Sequence, residues 1–197
     1  SEKTSALICY GDSLLNGKKE KTIKIYRKFY KNKLDKFFEI IHFLPFYPSS
    51  SDSGFAVKDH YQVDKKLGDW SDIYKQSKMT NIMADIVINH ASSKGLWFKN
   101  FVANKSPGKD YFLTVSKKFD ISKVVRPREN RLLKKISIFK KDKFIWRTFS
   151  DDQIDLNFNN PVVVLRCIKI MIHLVNNGVL SLIHISEPTR RPEISYA

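Results

Sequence analysis

The strongest constraint on the fold comes from two apolar runs that each end in a polar or proline-containing cluster. The run at 39–44 leads into Pro45-Phe46-Tyr47-Pro48, and the run at 82–88 leads into Asn89-His90. Strands that are apolar throughout are typical of parallel sheets buried on both faces. In a β/α barrel such strands alternate with helices, and functional side chains follow their carboxyl ends. The layout therefore predicts an α/β barrel fold, with His90 as a candidate functional residue.

Apolar residues at helical spacing lie between these runs, which supports an alternation of strand and helix. The prolines of 45–48 prevent regular strand pairing, so residues 49–69 are predicted to form a long loop. The other predicted elements are a short buried strand at 5–10, a first helix with Ile23, Tyr26, Phe29 or Tyr30, and Leu34 on its apolar face, and a second helix at 70–78.

A third helix is predicted to start at Asn160-Pro161, which combines a capping side chain with a first-turn proline. Gly178 lies just past its expected end. The polar face is predicted at Arg166, Lys169, His173 and Asn176. The apolar face, expected to point toward the core, is predicted at Val164, Leu165, Ile168, Met171, Ile172 and Val175.

Length sets the domain organisation. The chain has 197 residues, whereas a complete (β/α)8 TIM barrel typically needs about 250, so we expect the N-terminal part of such a barrel. Residues 1–90 are predicted to hold its first three β/α units. Residues 91–150 are too long for a simple connection, and they are predicted to form a small inserted subdomain after strand 3, with strands near 111–115 and 143–149. Residues 151–179 then supply the third barrel helix, which leads to the fourth strand.

The last segment, residues 180–197, has a different character. Pro188 and Pro192 flank Arg190-Arg191, an extended pattern that does not suit a barrel strand and its following helix. The segment resembles a peptide that arises when sequencing-adapter sequence is translated at the end of a reading frame. We expect it to be foreign to the protein and assign Glu187 no catalytic role.

The formal net charge of +15 raises the question of a polyanionic partner. Most of the 35 basic residues are lysines scattered along the chain, whereas arginine is the expected reader of phosphates and base edges. The densest cluster comprises Lys134, Lys135, Lys140, Lys141 and Lys143, and it is predicted to be a hairpin or loop that faces water. We therefore expect no nucleic-acid partner.

Cysteine usage and hydropathy indicate the compartment. Cys9 and Cys167 are far apart in the sequence, which favours reduced thiols in the cytoplasm over a disulfide scaffold. The most apolar stretch, residues 162–175, is interrupted by Arg166 and Lys169, so no membrane partner is expected. No signal peptide is recognised at the start of the chain.

Several short motifs, in order from about residue 5 to 179, resemble one enzyme family, the sucrose phosphorylase branch of the α-amylase superfamily (glycoside hydrolase family 13). Three further motifs, Gly11-Asp12-Ser13-Leu14-Leu15, Asp110-Tyr111-Phe112 and Arg126-Pro127-Arg128, are similar to its glucosylglycerate-phosphorylase-like members. The six motifs that carry the main resemblance are Leu44-Pro45-Phe46-Tyr47-Pro48, Ser51-Asp52-Ser53-Gly54-Phe55, Val63-Asp64, Leu67-Gly68-Asp69-Trp70, Asp85-Ile86-Val87-Ile88-Asn89-His90 and Gln153-Ile154-Asp155-Leu156-Asn157.

The resemblance implies retaining glycosyl transfer with two carboxylates. A nucleophilic aspartate forms a glucosyl enzyme, and phosphate then takes the glucosyl unit of sucrose or glucosylglycerate, which gives α-glucose 1-phosphate. The implied partners are a small-molecule α-glucoside and inorganic phosphate. The alternatives are a family 13 hydrolase or transglucosidase and, in a different class, a non-enzymatic basic module that binds polyanions.

The resemblance also implies which residues hold the donor glucosyl unit. His90 matches a histidine that donates toward the glucosyl hydroxymethyl oxygen, and Asp52 matches a carboxylate that accepts from distal sugar hydroxyls. Phe55 would form an apolar wall, while Phe149 and Gln153 match positions at the mouth of the pocket. Asp85 and Asn89 are expected to organise the end of the strand rather than contact substrate. Taken without the resemblance, Asp52 beside Gly54 is interpreted as an Asx-turn residue.

Neither catalytic carboxylate is assigned within this chain. Counting without gaps puts Ile185 at the position of the nucleophile, and the arginine expected beside it is also missing. The chain itself is therefore predicted to be inactive. The resembled branch does without calcium, although the equivalent of Asn89 is a metal ligand in calcium-binding relatives, so neither a metal nor another cofactor is expected.

Overall fold

The computed structural model describes residues 4–17, 19–122, 124, 131–138 and 141–183. In chain order the elements are β1 (Ala6–Cys9), α1 (Thr22–Lys33), β2 (Ile40–Phe43), a short 3-10 turn (Asp52–Gly54), α2 (Trp70–Ser77), β3 (Asn81–Asp85), β4 (His90–Ser92), α3 (Leu96–Val102), β5 (Thr114–Val115), β6 (Leu133–Ile138), β7 (Lys141–Trp146), β8 (Gln153–Asp155), α4 (Pro161–Asn176) and β9 (Val179–Ile183).

These elements belong to two compact units. The first contains the described residues of 1–87 and 165–184, and the second contains those of 88–164. The first unit carries the parallel sheet, and the second carries the antiparallel strands. Each unit is therefore described separately.

The sheet of the first unit has four strands in the order β1-β2-β3-β9. All neighbouring pairs are parallel, for example Ile41 beside Ile82 and Phe43 beside Ala84. These four residues of β2 and β3 are fully buried, as expected for strands covered on both faces. Four parallel strands in sequence order, with helices between them, confirm the predicted α/β fold and represent half of the eight strands of a barrel.

Helix α1 packs on this sheet through the predicted apolar face. Ile23, Tyr26 and Tyr30 are buried, while Phe29 is 40% exposed, so Tyr30 is the core residue of the two alternatives. The Tyr26 ring meets that of Phe43 edge-on at a centroid distance of 5.2 Å. The Tyr30 hydroxyl donates to the Phe38 carbonyl at 2.5 Å, which ties the end of the helix to the approach of β2.

Strand β1 differs from the prediction in its burial. It occupies the predicted segment, but Ile8 is 62% exposed. In the described part of the chain, β1 pairs only with β2 and is an edge strand. Its outer residues therefore lack the neighbour that would bury them.

The predicted apolar face of α4 is wrong. The helix begins as expected, because the Asn160 side chain accepts from the Val162 amide at 3.0 Å, and Gly178 follows it with φ of 90°. The buried residues, however, are Val163, Cys167, Ile170 and Leu174, and the exposed residues include Val164, Leu165, Ile168, Ile172 and Val175.

The error arises because α4 is apolar around most of its circumference. Its sequence therefore contains two possible core stripes, and packing against the rest of the fold selects the one that periodicity did not favour. His173, which we placed on the polar face, is partly covered by aromatic rings: its own ring lies 4.7 Å from Trp70 and 5.1 Å from Tyr61.

A further correction concerns the start of the last segment. We expected the chain from residue 180 not to form a barrel strand, yet β9 includes residues 180–183 and pairs in parallel with β3. Main-chain hydrogen bonds carry this pairing, and the apolar residues Leu182 and Ile183 suit an open parallel edge. The remaining residues, 184–197, lie outside the described part of the chain, so their foreign origin stays a prediction.

The second unit contains the predicted strands. Strands β5, β7 and β6 form an antiparallel sheet, and β4 pairs antiparallel with β8. A core of Leu113, Val124, Leu132 and Trp146 lies under the three-stranded sheet. Because β8 pairs with β4, this compact unit continues past residue 150, and the division into barrel and inserted subdomain at 91–150 stays a prediction.

The lysine-rich segment forms β6 and β7, as expected for a hairpin. Lys134, Lys135, Lys141 and Lys143 are exposed, and Lys135 forms an ion pair with Asp142 at 2.7 Å; Lys140 lies outside the described residues. Among the described helices, none has the length and hydropathy needed to cross a bilayer.

The exposed stripe of α4 predicts self-association of the chain. Leu165 and Ile172 are 57% and 54% exposed, and apolar stripes of this kind favour association. A Leu165→Lys/Ile172→Lys variant should show a lower weight-average mass at high protein concentration, with an unchanged midpoint of thermal unfolding. Sedimentation velocity and circular dichroism measure the two quantities.

Ile170→Lys is the matched control for this prediction, because Ile170 lies on the buried stripe and is 0% exposed. That variant should lower the unfolding midpoint strongly, since it buries an unpaired charge. Equal association of the wild type and the Leu165→Lys/Ile172→Lys variant would show that another surface, such as the open edge of β1, is responsible.

Candidate functional site

A buried polar pair joins the carboxyl ends of β2 and β3 in the first unit. The His42 Nε2 atom lies 2.8 Å from the Asp85 Oδ2 atom, and the two side chains are 5% and 2% exposed. The Tyr47 hydroxyl donates to the Asp85 main-chain carbonyl at 2.9 Å. Burial raises the pKa of Asp85, and the hydrogen bond and charge of His42 oppose that rise. Asp85 therefore organises the strand end, in agreement with the role expected for it.

Asp52 and Phe55 lie on the short turn that follows β2. Asp52, Ser53 and Gly54 have φ angles of 57°, 48° and 104°, which places three consecutive residues in the left-handed region. Aspartate tolerates this region better than most residues, and an added Cβ on Gly54 would lie only 2.7 Å from the Pro45 carbonyl oxygen. The turn is closed by the Phe55 amide, which donates to the Asp52 carbonyl at 2.9 Å.

This backbone geometry is energetically unfavourable for non-glycine residues. The surrounding structure must therefore hold the turn in place, and Asp52 is presented at an exposed position while Phe55 is half-buried. The turn is thus closed through the Asp52 main chain, and the binding role of the Asp52 side chain stays a prediction.

His60 anchors the loop that carries this turn. It is 2% exposed, its Nε2 atom lies 2.7 Å from the Val87 carbonyl oxygen, and its ring packs against Tyr47 at 5.4 Å. Burial lowers the pKa of His60 to about 4, against smaller raising effects of the Val87 carbonyl and the Asp59 charge. The imidazole is therefore neutral near pH 7 and donates to the carbonyl.

The lowered pKa predicts that acid destabilises the first unit. Between the ordinary pKa of 6.5 and about 4, the unfolded chain binds a proton that the folded chain does not, so stability falls as pH decreases through this window. From pH 7 to pH 5 the loss due to His60 should be about 2 kcal/mol. Urea unfolding at the two pH values measures it.

His60→Gln is the informative variant, because a glutamine amide can still donate to the Val87 carbonyl but does not titrate. Its free energy of unfolding should change less between pH 7 and pH 5 than that of the wild type. An identical pH dependence in both proteins would contradict the assignment to His60.

In the second unit, His90 and Phe149 lie in contact. Their ring centroids are 4.8 Å apart, and His90 is 5% exposed. His90 opens β4 and pairs in register with Asp155, while Ser92 pairs with Gln153 on β8. Because side chains alternate along a strand, Gln153 lies on the same face of this two-stranded ribbon as His90. The structure therefore brings His90 and Phe149 into contact and puts Gln153 on the same face of the ribbon as His90.

Asp155 holds the loop that carries Phe149. Its Oδ1 atom accepts from the Thr148 amide at 2.9 Å, and its Oδ2 atom accepts from the Thr148 hydroxyl at 2.6 Å. The same hydroxyl accepts from the Trp146 indole N–H at 3.1 Å. Asp155 and Thr148 are 0% and 3% exposed, so these bonds form in a site shielded from water, where they fix the position of Phe149.

Loss of the Thr148 hydroxyl should therefore destabilise the protein. Thr148→Val leaves a buried Asp155 oxygen and the Trp146 indole N–H each without this partner, at an expected cost of about 3 kcal/mol. Thr148→Ser keeps the hydroxyl and should cost less than about 1 kcal/mol. Denaturant unfolding of the three proteins compares them, and equal losses in both variants would show that the methyl group, not the hydroxyl, matters.

The sequence-predicted residues thus form one group in each unit: Asp52 and Phe55 in the first, and His90, Phe149 and Gln153 in the second. Sequence reasoning missed His42 and Thr148. A histidine inside the apolar run Ile40-Ile41-His42-Phe43 was an available signal for the first, whereas no local signal marked the second.

No group of three or more histidine, cysteine, aspartate or glutamate side chains suited to a metal ion occurs among the described residues. Asn89 contributes a main-chain carbonyl to the Leu156 amide at 2.9 Å, so it supports the end of the β4–β8 pairing. Both cysteines are free thiols, and burial raises the pKa of each to about 11, which makes them poor nucleophiles near neutral pH.

The first unit has a parallel sheet of sequential β/α units, and the antiparallel unit follows its third strand along the chain. This arrangement defines a partial β/α barrel with polar groups at the carboxyl ends of its strands. Comparison with known families gives the particular class. Residues 33–182 match the alpha-amylase catalytic domain, and the chain belongs to this family.

Individual relatives refine the comparison. Over 178 residues the chain is 40% identical to the glucosylglycerate phosphorylase of Allomeiothermus silvanus and 37% identical to that of Escherichia coli K12. These matches cover 90% of this chain and 32% of each relative, so the chain spans about a third of their length. It is also 32% identical over 162 residues to the sucrose phosphorylase of Bifidobacterium adolescentis, covering 77% of this chain and 31% of that enzyme.

Solved structures agree with the fold. The sucrose 6F-phosphate phosphorylase of Thermoanaerobacter thermosaccharolyticum superposes with a TM-score of 0.80 at 28% identity, over 91% of this chain and 39% of that structure. The trehalulose synthase of Pseudomonas mesoacidophila MX-45 gives a TM-score of 0.76 at 20% identity, over 92% and 34% of the two chains. The second likeness concerns the fold alone.

Proposed function

We propose that this chain supplies part of the donor-sugar pocket of a retaining glycoside phosphorylase. The enzyme would transfer the glucosyl unit of an α-glucoside, glucosylglycerate or sucrose, to inorganic phosphate and so form α-glucose 1-phosphate. The observation that carries this proposal is the 40% identity to a glucosylglycerate phosphorylase over 90% of this chain. The motifs of the sequence indicate the same branch.

In this proposal, His90 donates a hydrogen bond to the hydroxymethyl oxygen of the glucosyl unit. It is 5% exposed and its ring contacts Phe149, so its orientation is restricted. A hydrogen bond from a preoriented, water-poor group is stronger than one made in water. Gln153 shares this ribbon with His90, Phe149 lies on the loop before β8, and both would line the mouth of the pocket.

Asp52 would accept hydrogen bonds from distal hydroxyls of the sugar, and Phe55 would cover an apolar face of the ring. The left-handed backbone of the turn supports this role, because an unfavourable conformation is retained where the position of a side chain matters. Carboxylates are effective acceptors for sugar hydroxyls, since hydrogen bonds to a charged group are the stronger ones.

The proposal places the two catalytic carboxylates outside residues 1–179. Retention requires a nucleophile and an acid/base group about 5 Å apart, and the sequence assigns neither in this chain. Ile185, which falls at the nucleophile position by ungapped counting, lies outside the described residues. We therefore expect the chain alone to show no turnover. No cofactor is required, and the two free thiols support the proposed cytoplasmic location.

A chimeric enzyme tests the function directly. Residues 1–179 would replace the matching N-terminal third of the A. silvanus glucosylglycerate phosphorylase, which supplies the rest of the barrel. The chimera should release glucose 1-phosphate from glucosylglycerate or sucrose, and the release should depend on phosphate. Asp52→Asn and His90→Ala should each lower kcat/KM at least about tenfold, which corresponds to about 1.4 kcal/mol of transition-state stabilisation.

Asp35→Asn is a control, because Asp35 carries an exposed carboxylate and is distant in sequence from the proposed pocket residues. A chimera with this substitution should be as active as the parent chimera. Release of free glucose at the same rate without phosphate would favour a family 13 hydrolase instead. A folded chimera with neither activity would refute the proposal, and salt-dependent binding of nucleic acid by the chain would favour a polyanion-binding module.

A further inference from the structure

A cavity of about 550 Å³ opens between the segment after β1 and the loop after β2 in the first unit. Both segments follow the carboxyl ends of parallel strands, where β/α proteins place their ligands. The volume lies within the range of about 300 to 1,000 Å³ that is typical of small-molecule sites. The polar lining residues used below are Asp12, Ser53, Asp64 and Lys66.

The lining of the cavity has unused hydrogen-bonding capacity. Asp12 supplies a carboxylate and Lys66 an ammonium group. Asp12 and Lys66 are exposed at the rim, and the ion pairs of the described chain include neither of them.

The charges of the lining decide which ligand class fits. Asp12 and Asp64 contribute two carboxylates and Lys66 one ammonium group, so the cavity carries a formal charge of −1 and disfavours phosphate or another anion. Carboxylates accept hydrogen bonds and need donors. A neutral molecule with several hydroxyl groups supplies such donors, and its apolar faces can lie against Leu15, Leu67 and the Tyr47 ring, which also line the cavity.

The wall that carries the second carboxylate is held in place before any ligand binds. The Asp64 amide donates to the Phe46 carbonyl at 2.8 Å, and the Asp64 Oδ1 atom accepts from the Lys66 amide at 2.9 Å. The Leu67 carbonyl accepts from the Ile23 amide at 3.0 Å, which fixes the loop to the start of α1. A preformed wall reduces the conformational entropy that binding would otherwise cost.

The cavity is distinct from the proposed donor pocket. Ser53 and Gly54 line it, whereas Asp52 and Phe55, which flank them in the same turn, are absent from its lining. A ligand in the cavity would therefore contact the turn through different residues. It would also favour the unusual backbone conformation of Ser53 by packing against it.

We propose that this cavity is a second binding site for a neutral polyhydroxylated ligand, a hexose or a short polyol, held by the carboxylates of Asp12 and Asp64. The site belongs to the first unit alone and requires no catalytic carboxylate. The inference therefore does not depend on the proposed phosphorylase activity, and either can fail without the other.

Binding of D-glucose and glycerol to the purified 197-residue chain tests the proposal by saturation-transfer NMR. Both probes should give saturable signals, and Asp12→Asn/Asp64→Asn should raise the dissociation constant at least fivefold. Asparagine keeps the size and one oxygen of each side chain, including the acceptor for the Lys66 amide, so the variant should retain the circular dichroism spectrum of the wild type. Asp35→Asn, with an exposed carboxylate that does not line the cavity, should leave binding unchanged.

Three outcomes would overturn the proposal. The first is the absence of saturable binding of either probe to the folded chain. The second is a loss of binding in Asp52→Asn together with unchanged binding in Asp12→Asn/Asp64→Asn, because the sugar would then occupy the donor pocket. The third is binding of inorganic phosphate, measured by phosphorus NMR line widths, in preference to glucose.

Discussion

The parallel hydrogen-bond ladder between β2 and β3 is the constraint on which the first unit depends. It pairs His42 with Met83 and Phe43 with Ala84, so the two strands end at the same edge of the sheet. Side chains alternate along a strand, and Asp85 therefore lies on the face of His42 and within reach of its ring. A one-residue slip of the register would move Asp85 to the opposite face and break the buried pair. The loop that carries Asp52 and His60 starts from this same edge.

Sequence patterns predicted the positions of the helices and strands better than the burial of their side chains. Periodicity and turn residues located β2, β3, α1 and α2, because local spacing reports which side chains can share a face. The core face of α4 was wrong because a helix that is apolar around most of its circumference offers more than one stripe. Only packing against other elements decides between them. The predicted burial of β1 was wrong for a related reason. The exposure of an edge strand depends on whether a neighbouring strand covers it and not on its own residues.

The candidate site shows the same division between local and non-local information. His90 was identifiable because it follows Asn89 at the end of an apolar run. Its proposed partners came from the resemblance to a known family. His42 lies 43 residues from Asp85 in sequence, and Thr148 meets Asp155 across a turn. Neither pairing has a periodicity that a sequence could reveal. The left-handed turn was partly visible, because Gly54 permits it, but the positive φ angles of Asp52 and Ser53 were not.

Each buried polar pair fixes a chain segment within its own unit. Burying a polar group costs free energy, so well-packed apolar residues in place of both members of a pair would preserve stability, whereas removal of one member alone is costly. An apolar contact, however, has no preferred direction, whereas a hydrogen bond fixes distance and angle together. His42 and Asp85 restrict the strand end that precedes Ile86 and Val87, and Thr148 and Asp155 restrict the loop of Phe149. We infer that each pair determines the local geometry of its own unit more than the stability of the fold.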